Sequence, residues 1–201
     1  GREQEQFREA HKDGFLAAYL LNKRMYQYQN IEDLQREYDQ LGASAKAMKL
    51  TRQVVERLDE MAAFAPGKKA PDFTLPTPEG DSLSMYSIQG KVKILDFWAS
   101  WCAPCRQEMP NVCKVYKKYH DKGLEIIGVS LDSKVPDWQQ AMVVEKMKWL
   151  NILDVRQQIA TRYFVRGIPH TLLLDENNRI IAKNLRGKAL EKKIAELLGD
   201  K

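Results

Sequence analysis

Cys102 and Cys105 are separated by Ala103-Pro104 and follow Val92 to Trp98, a near-continuous apolar run. A Cys-x-x-Cys pair that opens a helix just after a buried strand suits thiol–disulfide exchange. The first cysteine lies where unpaired backbone N–H groups and the helix dipole favour negative charge. That stabilises the thiolate, which is the nucleophile. The spacing lets the second sulfur reach back across one turn and close a disulfide. Cys102 is therefore read as the attacking, more exposed thiol and Cys105 as the resolving thiol that breaks the mixed disulfide. Pro104 has no N–H and a fixed φ, which suits the first helical turn. Zinc is the competing chemistry. A structural site needs about four ligands, and only Cys113, His11, His120 and His170 remain, with no second closely spaced pair.

Asp96 interrupts the apolar run Ile94-Leu95-Asp96-Phe97-Trp98. A carboxylate there is expected to be buried, and desolvation would raise its pKa. Close to a buried thiol it could accept and return a proton during exchange. The structural alternative is an aspartate paired with a basic side chain. Ile168-Pro169 precedes the apolar stretch Thr171 to Leu174. A proline entering a buried strand cannot donate to the ladder, and a cis peptide at an active-site turn would account for it. Cys113 lies two helical turns past Cys105 and is expected to face the core as a small apolar residue.

These residues need an α/β scaffold. Phe73 to Leu75 and Ser82 to Ser84 flank Pro78-Glu79-Gly80-Asp81, which reads as a hairpin. Val92 to Trp98 and Leu124 to Leu131 read as strands buried on both faces. Helices are predicted over Cys102 to His120, Trp138 to Met147, Val155 to Tyr163 (with Asp154 as cap) and Lys188 to Leu198. Leu172 to Asp175 and Arg179 to Ala182 flank a second hairpin turn. Strands alternating with helices imply a sheet with helices on both faces.

Residues 1–64 read differently, as a small all-α segment. Phe15, Leu16, Tyr19 and Leu20 recur at helical spacing. Asn30 with Asp33 marks a helix start, Gly42 and Ser44 a stop and a new cap. Met48, Thr51, Val55, Leu58 and Ala62 form one face of a third helix. Residues 65–71, with proline at both ends of Pro66 to Pro71, read as a connector, and 72–201 as the α/β domain.

Composition bounds the partners. The chain carries a formal net charge of +5, with 10 Lys+Arg against 11 Asp+Glu in residues 1–65 and 22 against 16 in 66–201. The excess is scattered and shows no basic stripe interleaved with aromatics, so nucleic acid is not an expected partner. Hydrophobic residues make up 44%, enough for a core, yet no stretch approaches the roughly 20 apolar residues of a membrane span. Three cysteines are too few for a disulfide-stapled scaffold of this length.

Residues 66–201 resemble the thioredoxin superfamily, specifically its bacterial extracytoplasmic TlpA/ResA-type branch, which is related to AhpC/TSA proteins. Ala70-Pro71-Asp72-Phe73-Thr74-Leu75, a Gly-Lys turn and Asp96-Phe97-Trp98-Ala99-Ser100-Trp101-Cys102-Ala103-Pro104-Cys105 carry the resemblance. Pro110 matches the superfamily's helix proline and Gly167-Ile168-Pro169 its cis-proline loop. The resemblance implies a thioredoxin-like fold: a mixed central sheet flanked by helices, with an N-terminal β-hairpin. It implies a disulfide reductase in which Cys102, Cys105 and Asp96 are catalytic and Trp101, Pro104, Ile168 and Pro169 meet the substrate. It also implies protein thiol or disulfide substrates, an upstream thiol reductant, and no metal or organic cofactor. The expected location is extracytoplasmic, in the periplasm, and membrane anchoring outside this segment or a further domain ahead of Gly1 is compatible with it.

The match has departures. Many ResA-type members carry asparagine at the Asp96 position, no lysine on Leu124 to Leu131 is available to partner Asp96, and His170 stands where thioredoxins usually have threonine. Two alternatives remain. One is a client-binding module with incidental thiols. The other is a peroxiredoxin-like peroxidase, whose motif needs Pro and Thr seven and three residues ahead of the cysteine, where this chain has Leu95 and Ala99.

Overall fold

The computed structural model describes residues 11–28, 30–76 and 82–199. The chain divides into two compact units, Gly1–Ala65 and Pro66–Lys201. The first is helical: α1 (Phe15–Arg24), α2 (Ile31–Asp39), a short α3 (Ala43–Lys46) and α4 (Lys49–Ala63). Asn30 caps α2, its side chain accepting the Asp33 N–H at 2.8 Å, as its side-chain chemistry predicts. Three expectations shift. Phe15, Leu16, Tyr19 and Leu20 are exposed, and α1 buries Ala18 and Leu21 instead. Ser44 is not a cap, since its own N–H is taken by the Asp13 carboxylate at 2.9 Å. On α4 the buried face is Thr51, Val54, Leu58 and Met61. Val54-Val55 and Met61-Ala62 are both apolar doublets, so helical spacing alone fits two overlapping stripes. The larger thioether of Met61 and the Thr51 hydroxyl, which donates to the Ala45 carbonyl at 2.7 Å, go with the inward one.

The second unit holds a two-stranded sheet, β1 (Thr74–Pro76) antiparallel to β2 (Ser82–Ser84). The turn expected at 78–81 lies outside the described residues. The main sheet comprises β3 (Val92–Trp98), β4 (Leu124–Ser130), β5 (Leu150–Leu153), β6 (His170–Asp175) and β7 (Ile180–Lys183), in the order β5-β4-β3-β6-β7. β3 runs parallel to β4 and antiparallel to β6, so the sheet is mixed. The helices are α5 (Ala103–Tyr119), α6 (Val135–Val144), α7 (Gln158–Arg162) and α8 (Gly187–Leu197). Residues 67–70 run beside the start of β7, with Gly67 N–H to Ile180 O at 2.7 Å and Ala70 N–H to Asn178 O at 2.8 Å. Among the described residues no helix is long and apolar enough to cross a membrane.

Side chains alternate along β3. Val92 and Ile94 join Met109, Val112 and Val115 of α5 and Leu190 and Ile194 of α8 in one core. That parity puts Asp96 on the face beneath α5. On the opposite parity, Phe97 meets the Tyr163 ring at 5.6 Å. Lys93 shares that parity and is buried within the apolar run, donating to the Ile88 carbonyl at 3.1 Å and to Asn178 Oδ1. Burial pulls its pKa below the usual lysine range.

β5 is a strand the hydropathy pattern does not reveal. It has four residues and is broken by a buried asparagine, Asn151, whose Oδ1 accepts the Trp98 indole N–H at 3.0 Å. Gly128 leaves room for that bond: a Cβ there would stand 2.0 Å from Asn151 Oδ1. α7 is shorter than Val155 to Tyr163 and its N-cap residue is Gln157, but Asp154 supplies the capping carboxylate from three residues further back. The buried Asp154 carboxylate accepts the N–H groups of Gln158, Ile159 and Ala160, each at 2.9 Å. Truncation to alanine would orphan three donors at once, two of them buried. Asp154→Ala is expected to cost about 2–3 kcal/mol in urea unfolding, and Asp154→Asn, which keeps one acceptor, distinctly less.

Candidate active site

β3 ends at Trp98 and the chain turns through Ala99-Ser100-Trp101 to Cys102, the N-cap residue of α5. Cys102 and Cys105 are joined in a disulfide with their Cα atoms 5.3 Å apart. The Cys105 N–H donates to Cys102 Sγ at 3.2 Å, so the first sulfur sits on an open helix N-terminus. Pro104 lies in the first turn of that helix, on its exposed side. Trp98, Ala99, Trp138 and Ala141 pack around the pair, with half-buried Ile168 against them. That packing covers both sulfurs of the disulfide, Cys102 being marginally the more exposed of the two. In the disulfide state Cys102 is 4% exposed and Cys105 2%, while Trp101 beside them is 65% exposed.

The turn is braced from β4. The buried Asp132 carboxylate accepts the Ser100 N–H at 2.9 Å, the Ser100 hydroxyl at 2.5 Å and the Ser130 hydroxyl at 2.7 Å. Leu131 N–H also bonds the Trp98 carbonyl at 2.9 Å. Two consecutive residues after β4 therefore hold Trp98 and Ser100 ahead of the cysteine pair.

Behind the disulfide, a narrow cavity is lined by Asp96, Cys105, Glu108, Pro169, Thr171 and Arg186, among others. Asp96 is buried, and desolvation pushes its pKa up to about 7. The Arg186 guanidinium opposes the rise and the Glu108 carboxylate adds to it. Glu108 Oε1 accepts the Gly187 N–H at 2.6 Å and the Asn111 amide at 2.7 Å. The Ile168–Pro169 peptide is cis, and the Pro169 carbonyl accepts a hydrogen bond from Arg186. His170 opens β6 with its ring edge-on to Phe97 at 5.9 Å.

The fold thus brings Asp96, Cys102, Cys105, Ile168 and Pro169 to one end of the sheet, with Trp101 and Pro104 on the adjoining surface. Cys113 is half-buried against the α5 core, its Sγ 3.3 Å from the Glu145 carbonyl, and burial raises its pKa. Sequence reasoning missed Glu108, Asp132 and Arg186. Glu108 had a signal, standing one helical turn beyond Cys105. Asp132 had a weaker one, an acid directly after a buried strand. Arg186 had none, because its neighbours come from distant parts of the chain.

Comparison with known proteins agrees with this geometry. Residues 66–183 match the model of the AhpC/TSA family. Thiol-disulfide oxidoreductase ResA of Bacillus thuringiensis subsp. konkukian is 30% identical over 132 residues, 66% of this chain and 76% of that protein. Thioredoxin-like protein YneN of Bacillus subtilis is 39% identical over 116 residues, 57% of this chain and 68% of that protein. Among solved structures, the thioredoxin domain of a thiol-disulfide oxidoreductase from Bacteroides vulgatus superposes with a TM-score of 0.63 at 34% identity, covering 67% of this chain and 98% of that one. A thiol:disulfide interchange protein from Bacteroides sp. gives 0.64 at 34% identity, covering 68% and 92%. The chain belongs to the AhpC/TSA family, as a thioredoxin-fold thiol–disulfide oxidoreductase of the ResA-like kind.

Proposed function

We propose that this protein reduces disulfides of protein clients, with Cys102 as nucleophile, Cys105 as resolving thiol and Asp96 as the group that takes the Cys105 proton. The observation that carries this reading is the placement of Asp96 and Cys105 on one buried cavity directly behind the Cys102–Cys105 disulfide. In the reduced enzyme the Cys102 thiolate attacks a client disulfide. A Cys102–client bond forms and the client's other sulfur leaves as a thiolate. Asp96 accepts the Cys105 proton. The Cys105 thiolate then attacks Cys102 Sγ and frees the second client thiolate, and two electrons have passed to the client. The disulfide form is the product of that turnover, and an upstream thiol reductant returns it to the dithiol. No metal or organic cofactor enters the scheme.

Trp101, Pro104, Ile168 and Pro169 are assigned to client binding. Exposed Trp101 offers apolar area beside a nearly covered disulfide, and the loop at 168–169 borders the same cluster. Residues 1–64 are assigned to a separate helical module, 65–71 to a connector and 72–201 to the exchange domain. An extracytoplasmic, periplasmic setting follows from the family resemblance and suits a chain that handles disulfides.

An insulin reduction assay tests the activity. Cys102→Ser is expected to abolish turnover, and Cys105→Ser to accumulate mixed disulfides with clients. Near-normal turnover by the Cys102 variant would remove it as nucleophile.

Asp96 makes two linked expectations. Replacement by Asn is expected to slow turnover by roughly ten- to a hundredfold at neutral pH. Burial lifts its native pKa from the ordinary aspartate value of 3.8 to about 7, so the folded state holds a proton that the unfolded state has released. Stability therefore falls as pH rises from about 4 to about 7 and then levels, by at most a few kcal/mol from this group. Urea midpoints of the disulfide form at pH 5 and pH 8 should show that drop in the parent and little of it in Asp96→Asn.

The redox potential checks the direction of electron flow. Ala103 and Pro104 add no charge to stabilise the Cys102 thiolate, and a carboxyl group lies behind the pair. A potential near thioredoxin's roughly −270 mV is expected, far from the roughly −120 mV of a strong oxidase. Equilibration against a dithiothreitol buffer measures it, and a value above about −180 mV would favour disulfide formation or shuffling.

A further inference from the structure

We propose that Arg186 is a positioning residue of the exchange reaction, holding the Pro169 carbonyl and forming the cationic side of the cavity that Asp96 and Cys105 share. The inference rests on the reading of Asp96 given above and names a residue that acts through it.

Arg186 is the N-cap residue of α8, in extended backbone with φ −145° and ψ 163°. Its guanidinium donates to the Pro169 carbonyl. The next residue, Gly187, gives its N–H to Glu108 on α5, one turn beyond Cys105. One dipeptide thereby ties together the cis-proline loop and the helix that carries the resolving thiol. Gly187 has φ +53° and open space around its Cβ position, so glycine is required there by backbone conformation rather than by crowding. The same segment is anchored to β6. Asn184 N–H donates to the Thr171 carbonyl at 2.8 Å, and Asn184 Oδ1 accepts the Thr171 N–H at 3.2 Å.

The electrostatics follow from what faces Asp96. β3 contributes Asp96 itself. α5 contributes Cys105 and Glu108. β6 contributes Thr171, which is uncharged, and α8 contributes Leu190. Among these lining residues Arg186 carries the positive charge. During resolution the Cys105 S–H passes its proton to the Asp96 carboxylate. That step needs Asp96 ionised beforehand, and both burial and Glu108 work against ionisation. Arg186 is the group that works for it. It is exposed to solvent, so its influence is screened and modest.

The experiment uses the full chain with Arg186→Gln and Arg186→Lys. The first readout is the NMR titration of the Asp96 side-chain carboxyl carbon in the disulfide form, which needs no turnover. Arg186→Gln is expected to raise the midpoint by about 0.5–1 unit, and Arg186→Lys to stay much closer to the parent. The second readout is the pH profile of kcat with insulin as the client. The shifted midpoint predicts a loss of about two- to fivefold at pH 7 in Arg186→Gln, converging on the parent above about pH 9. A residue that merely stiffened the loop would lower the rate equally at every pH. An unmoved Asp96 midpoint in a folded Arg186→Gln protein overturns the proposal, whatever the rate does. If the parent shows the titration and its shift but does not reduce insulin, the reductase reading fails and the Arg186–Asp96 coupling stands.

Discussion

β3 is paired on both sides, parallel to β4 and antiparallel to β6, and the active site hangs from that double pairing. A strand bonded on both edges and covered on both faces has little freedom at its C-terminal end. The turn that follows it, Ala99-Ser100-Trp101, inherits that rigidity. Its remaining freedom is removed by Asp132, which extends from the end of β4 to hold Ser100 by backbone and hydroxyl. The antiparallel partner β6 starts beside the end of β3, with His170 opposite Phe97, so the Ile168–Pro169 loop arrives at the same place. The helix start, the cysteine pair and the proline loop meet because three adjacent strands end or begin together.

That arrangement concentrates buried and half-buried polar groups in a small volume, and each is handled differently. Asp132 is satisfied by an N–H and two hydroxyls, which makes it a structural strut. Glu108 spends one oxygen on the start of α8 and on Asn111. Asp96 is deeply buried and perturbed, with its pKa near 7. A proton on that carboxyl is poised to move near neutral pH. Asp132 and Asp96 thus divide between bracing and proton handling according to how many donors reach them.

Much of this was legible in the sequence because it depends on local pattern. Cys-x-x-Cys after an apolar run, an acid inside that run, and a proline ahead of a strand are one-dimensional signals, and all three converge in space. Asn30 and Asp154 were readable as caps for the same reason. The failures share a different cause. β5 is short and carries a buried asparagine, so its hydropathy does not announce a strand; its role is to receive the Trp98 indole. In α1 the exposed Phe15, Leu16, Tyr19 and Leu20 outweigh the inward Ala18 and Leu21 in any hydropathy pattern. A small residue that packs closely leaves a fainter trace than a large one that does not. The cover laid over the cysteine pair by β3, α6 and the proline loop comes from distant parts of the chain, and no local spacing records it.

The balance of charge around the disulfide bears on what the protein does with electrons. The open N-terminus of α5 favours a thiolate at Cys102, while buried carboxyl groups on β3 and after β4 oppose additional negative charge nearby. An oxidising protein gains its power by stabilising the dithiol, chiefly as a thiolate. Here the positive influence comes largely from helix geometry, since Arg106, which follows Cys105, is paired with Glu145 at 2.6 Å. Among the residues lining the cavity behind the pair, the cation is Arg186, which also bonds the Pro169 carbonyl. It favours ionised Asp96, the form that accepts a proton from Cys105. The local electrostatics therefore assist the step in which Cys105 closes onto Cys102, the step that completes transfer of electrons to a client.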